Sequence, residues 1–170
     1  SATPAVPMIA PFWQDVDTRN QPGGGLVYYN IDEPSRVVAT WNLVGRFSQK
    51  NDLLNNFQVV ISDRGGGDAR IDFVYGLMQW DQGDVSPTPP FIGLASGLGP
   101  TVQPPGSLSP SALSILNQNG GRFSFLTQAG QPVQIPATDP APGPLPLVGG
   151  LAALGWSRRL GSRIQLIRTS

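Results

Sequence analysis

The chain has few side chains that could do chemistry, because its 170 residues include no histidine and no cysteine. The commonest general base and transition-metal ligand is therefore missing, as are a thiol nucleophile and any disulfide framework. A hydrolase built from what remains would need paired carboxylates, serine–lysine chemistry or a metal held by oxygens. The best candidate pair is Asp15 and Asp17 in QDVDT. On a strand, positions i and i+2 share a face, and two carboxylates there could hold a hard cation such as Ca²⁺. The same residues read equally as exposed turn acids beside Arg19. Asp81 and Asp84 in DQGD read as loop acids. Only composition brings any two acids together as a glycosidase dyad, so the chain is not expected to be an enzyme. Trp13, Trp41 and Trp80 could form a platform for a sugar or a protein partner, with core packing as the alternative. Tyr28, Tyr29 and Tyr75 carry the same two readings.

Strands must position these residues. GLVYYNI, from Gly25, is apolar and aromatic and is stopped by the turn-like DEPS. In RVVATWNLV the alternation puts Val37, Ala39, Trp41 and Leu43 on one face, expected inward, and Val38, Thr40, Asn42 and Val44 on the other. NFQVVIS groups Phe57, Val59 and Ile61, and RIDFVY groups Ile71, Phe73 and Tyr75. Between them DRGGGD reads as a hairpin loop of glycines able to take positive φ. One buried and one wet face per strand is the pattern of antiparallel sheet.

After Trp80 turn residues dominate, leaving FIGLA as a short strand. SPSALSILN fits one or two helical turns, with Ser109 or Ser111 as N-cap and Pro110 near the first helical position. GRFSFL then reads as the closing strand, with Phe123 and Phe125 inward. The expected fold is all-β, an antiparallel β-sandwich-like domain over residues 1–133. A Pro-rich linker over 134–143 and a tail over 144–170 with a short hydrophobic helix complete the chain.

Composition agrees with a turn-rich β domain: 13% charged residues, 21 glycines and 18 prolines. The net charge of zero is unevenly spread. Up to residue 141 there are seven basic and eleven acidic residues, a net of −4, and beyond it four arginines and no acid, a net of +4. The acidic domain would repel phosphates, which argues against nucleic acid as a partner. No signal peptide opens the chain, and MIAPFW already reads as folded protein, so the sequence is expected to start inside a longer precursor. In the tail, residues 145–156 carry no charge, and Arg158, Arg159, Arg163 and Arg168 follow. That run is shorter than the ~20 residues of an ordinary membrane helix. Its glycines and prolines make a poor soluble helix, so a membrane-directed segment with its arginines on the cytoplasmic side is expected.

APGPLPLVGGLAALGWSRRLGSRI resembles the C-terminal sorting signal of exported bacterial proteins called PEP-CTERM, in its P-G-P-L-P-L-x-G variant. Leu145 stands where the named signal has glutamate. The resemblance implies export, transient retention in the inner membrane, and cleavage by an exosortase near Pro144, Leu145 and Pro146, with Arg158 and Arg159 closing the apolar stretch.

MIAPFWQDVDTR resembles the signature of the nidogen-like extracellular domain, in which APFW-x-D-V-D precedes a Gly-rich turn and a V-x-Y strand, here GGGLVYYN. VVATWNLVGRF, NNFQVVISDR, IDFVYGLMQW, FIGL, PPGS and GRFSF follow in the family's order, so the resemblance runs over residues 8–126. It implies an extracellular, non-catalytic module of adhesion and matrix proteins, without catalytic residues. The expected protein is an exported bacterial surface or matrix protein, with an extracellular protein or glycan as partner. The alternatives are an envelope glycan-binding module or weak glycoside hydrolase, and a subunit that self-associates into a matrix.

Overall fold

The structure is a computed structural model that describes residues 4–19, 23–83, 87–97, 99, 101–118 and 121–134. Ten strands and one short helix follow in the order β1 (Pro7–Trp13), β2 (Val16–Asp17), β3 (Leu26–Asn30), β4 (Arg36–Arg46), β5 (Lys50–Gly65), β6 (Asp68–Met78), β7 (Phe91–Ser96), β8 (Thr101–Val102), α1 (Ala112–Asn117), β9 (Arg122–Gln128) and β10 (Gln131–Gln134). They form two antiparallel sheets. The larger runs β10-β9-β6-β5-β4-β2, with β3 also paired to β4, and the smaller runs β1-β7-β8.

The long β5–β6 hairpin is where sequence and structure agree most closely. Gly65, Gly66 and Gly67 take φ of 78°, 66° and 86°, values that favour glycine because a Cβ clashes there. Register then sets Phe57 opposite Tyr75, Val59 opposite Phe73 and Ile61 opposite Ile71. All six point into one core, joined by Phe125 and Phe123 from β9. Phe12 from β1, and Ile92 and Leu94 from β7, enter the same core, so the small sheet covers part of the large one. The other face of the small sheet is also covered: Phe91 and Ala95 pack with Ala10, Met8 and Leu108. A strand buried on both faces cannot alternate, which explains the continuous apolar run FIGLA.

β4 departs from the expected alternation. Ala39 and Trp41 face the core as expected, but a register shift lies between Trp41 and Val44. Leu43 there takes φ 54°. The extra residue rotates the chain, so Leu43 turns outward at 42% exposure and Val44 fills the inner position at 0%. Val37, expected inward, is 43% exposed at the far end of the strand.

Two smaller differences follow from local geometry. The helix begins at Ala112, beyond Pro110, and Ser111 makes no side-chain cap; Ser109 Oγ instead accepts the Ser111 N–H at 3.1 Å. β9 is not the closing strand, because β10 pairs with it from Gln131 to Gln134. Gln134, assigned to the linker from sequence, is the last residue of that strand. The rest of the linker and the whole tail lie outside the described residues, including the expected C-terminal helix. Among the described residues no helix is long and apolar enough to cross a membrane.

Candidate functional site

Asp15 and Asp17 do not share a strand face, because β2 covers only Val16 and Asp17. Asp15 is exposed, and its carbonyl accepts the Phe47 N–H at 3.0 Å. Asp17 is 3% exposed, so it is not the exposed turn acid of the second reading. Its carboxylate accepts from Arg19 Nε at 2.9 Å, Arg19 Nη2 at 2.6 Å, the Arg19 N–H at 2.9 Å and the Gln49 N–H at 3.0 Å. Arg19 also lies over the Phe47 ring, 5.5 Å from its centroid. This clamp ties the DVDTR segment to the corner between β4 and β5. Its hydrogen bonds, those of the Arg19 side chain first, hold the Asp17 carboxyl far below the ordinary aspartate value. Among the described residues no group of three or more acidic side chains converges to hold a metal.

A lowered folded-state pKa gives stabilisation that is present above the unfolded value of 3.8 and is lost as pH falls below it. Asp17→Asn should therefore flatten the acid limb of a melting-temperature profile below about pH 4. Arg19 is 59% exposed, so added salt should shrink the difference between parent and variant. An unchanged acid limb would show that the clamp does not persist in solution.

The three tryptophans have different fates. Trp80 is 3% exposed; it meets Phe12 edge-on at 5.2 Å and donates its indole N–H to the Val44 carbonyl at 3.3 Å. Trp41 stacks on Phe57 at 4.9 Å and is partly buried. Trp13, at 39% exposure, stands edge-on to Phe91. Trp80 thus cannot serve a surface platform. Tyr75 is also core: burial raises its pKa, and its hydroxyl donates to the Pro11 carbonyl at 2.6 Å. Asp81 accepts the Leu113 N–H at 3.2 Å, bracing the helix. Asp84, Pro144, Leu145, Pro146, Arg158 and Arg159 lie outside the described residues.

Two polar features escape the alternation pattern. Asn55, fully buried, accepts the Gln79 and Trp80 N–H groups at 2.8 and 3.1 Å and donates to the Trp80 carbonyl at 2.8 Å. It locks the end of β6 to β5. Asp72 lies on the opposite face of β6 from the core, yet is 1% exposed. Arg70 Nε approaches its two oxygens at 3.2 and 3.1 Å, Arg122 Nε stands at 3.5 Å, and the Ser124 hydroxyl donates to it. The signal was present in the sequence as opposite charges two residues apart on a strand.

The clearest candidate for binding is a surface rather than a cleft. Val27 and Tyr29 on β3 sit opposite Trp41 and Ala39, and therefore on the core-facing side of the sheet. They nevertheless remain 45% and 63% exposed, and Ile31 beyond them 62%. The small sheet covers only part of the large sheet's inner face. A shallow groove lined by Pro34, Arg36, Val37, Ile61, Asp63 and Ala69 lies at this end of the sheet.

These features define an all-β domain of two antiparallel sheets whose buried Asp17 and Asp72 are paired with arginines. Its sequence matches the nidogen-like domain family over residues 30–125, more than half of the chain, and the chain belongs to that family. The family is an extracellular-type domain, which points to an interaction role. The MIAPFWQDVDTR segment lies before the matched residues. Comparison with curated proteins and with solved structures returns no match.

Proposed function

We propose that this is an exported bacterial surface or matrix protein. Its nidogen-like domain is a non-catalytic interaction module, and residues 144–170 are a sorting signal processed by an exosortase at the inner membrane. One observation carries the reading: an extracellular-type domain precedes an uncharged run over 145–156 that ends in Arg158 and Arg159. Such a run followed by arginines is what a translocation-stopping segment needs to set its orientation. The arginine pairing of Asp17 and Asp72 supports binding over catalysis, since neither carboxylate is open to a substrate. The partner is an extracellular protein or glycan.

The test follows the chain in its host. The full chain should fractionate with the cell envelope, and a variant lacking residues 142–170 should appear in the medium with an unchanged melting temperature. A deletion variant that stays in the envelope, or that unfolds, contradicts the sorting role.

A further inference from the structure

β3 is an edge strand: among the described residues it pairs with β4 only. Which of its backbone groups face outward follows from one hydrogen bond. The Asp63 N–H donates to the Ser35 carbonyl at 2.8 Å, one step before Arg36 stands opposite Ser62 in the regular part of the β4–β5 ladder. Hydrogen-bonded and non-hydrogen-bonded pairs alternate along an antiparallel ladder. Val37, Ala39 and Trp41 therefore turn their N–H and C=O toward β5, and Val38, Thr40 and Asn42 turn theirs toward β3. Leu26, Tyr28 and Asn30 accordingly turn theirs toward β4, while Val27 and Tyr29 turn theirs to the open side. Natural edges are blunted by charge, proline or a bulge. LVYYN has none of these, and Leu26, Val27 and Tyr29 are exposed.

We infer that this edge pairs with the β3 strand of a second copy, antiparallel about a two-fold axis at Tyr28, joining two large sheets into one. The strand is complementary to itself. With Tyr28 opposite Tyr28, Val27 of each copy meets Tyr29 of the other, so outward-turned backbone groups meet outward-turned ones and each such pair can exchange both hydrogen bonds. On the core-facing side Val27 of each copy meets Tyr29 of the other, an aromatic–β-branched pair of the stabilising kind. The charges also fit. The acids at the end of the strand, Asp32 and Glu33, come opposite Gly24 and Gly23 of the other copy, so no like charges meet. A contact in which each residue pair occurs twice is the isologous contact that closes as a dimer. The inference goes beyond the sorting role and holds whether or not the tail is processed.

The absence of cysteine from the sequence makes the test clean. In the full chain, Tyr28→Cys should form a disulfide-linked dimer under mild oxidation, because facing Cα atoms in a ladder lie within disulfide reach. Gln128→Cys, at the exposed last residue of β9, should stay monomeric. Without any cysteine, the parent should sediment as a dimer, and Val27→Lys with Tyr29→Lys should weaken dimerisation at least about tenfold with an unchanged far-UV circular dichroism spectrum. That variant keeps residues 135–170, so association through the tail would survive it and overturn the inference. A Tyr28→Cys protein that reacts with a maleimide yet stays monomeric on oxidation would overturn it too, as would a monomeric parent that uses this edge for a different protein.

Discussion

Asp72→Ala should destabilise the domain by about 3–5 kcal/mol, the cost of removing one member of a buried ion pair. Asp72 sits mid-sheet, between Val60 on β5 and Ser124 on β9. Its side chain is 2% exposed, and those of Arg70 and Arg122 are 11% and 20% exposed. Removing the carboxylate takes from two largely buried guanidinium groups the counter-charge they share, and from the Ser124 hydroxyl its acceptor. The loss would be a large part of a typical folding stability of roughly 5–15 kcal/mol. Urea unfolding of parent and variant measures it. Asp72→Asn, which keeps an acceptor but not the charge, should fall between the two. A loss below about 1 kcal/mol, the range of exposed pairs, would mean that the cluster is solvated.

Phe57→Ala should have a comparable effect, about 3–5 kcal/mol. Phe57 is 1% exposed at the junction of the two sheets. Its ring stacks on Trp41 at 4.9 Å, meets Phe12 from the small sheet at 5.4 Å and lies 6.4 Å from Tyr75. Truncation opens a cavity among three rings that are themselves held in place, so the walls can collapse only partly. Because Phe12 loses one of its ring contacts across the core, β1 and β7 should become easier to open than the β5–β6 hairpin. Hydrogen exchange in the variant should show faster opening at Ala10 and Leu94 than at Val59. Uniform loosening would show that the two sheets unfold as one unit.

The hairpin and its inward residues were legible because period two and a glycine loop are local signals that tertiary contacts here reinforce. Phe57, Val59, Ile71, Phe73 and Tyr75 all lie where alternation puts them. The outward turn of Leu43 was not legible. A bulge changes the face of every later residue while leaving the residue types unchanged. Asp72 was hidden for a different reason: alternation assigns it to water, whereas Arg70, Arg122 and Ser124 gather around it. Asp17 was read as half of an acid pair with Asp15, whereas the residue that matters to it is Arg19, two positions on. Trp80 fitted both a platform and a core reading, because nothing local records that its indole N–H meets the Val44 carbonyl. Family membership, by contrast, was legible from short blocks in order, and the match over residues 30–125 bears it out.

The proposed function stands or falls with the tail, and intact mass spectrometry of the protein recovered from its host's envelope and medium tests it most directly. The account predicts a C-terminus near Pro144–Pro146 in the mature protein, with Arg158, Arg159 and the residues after them missing. A mature protein that reaches the medium with its mass extending through Ser170 would contradict it.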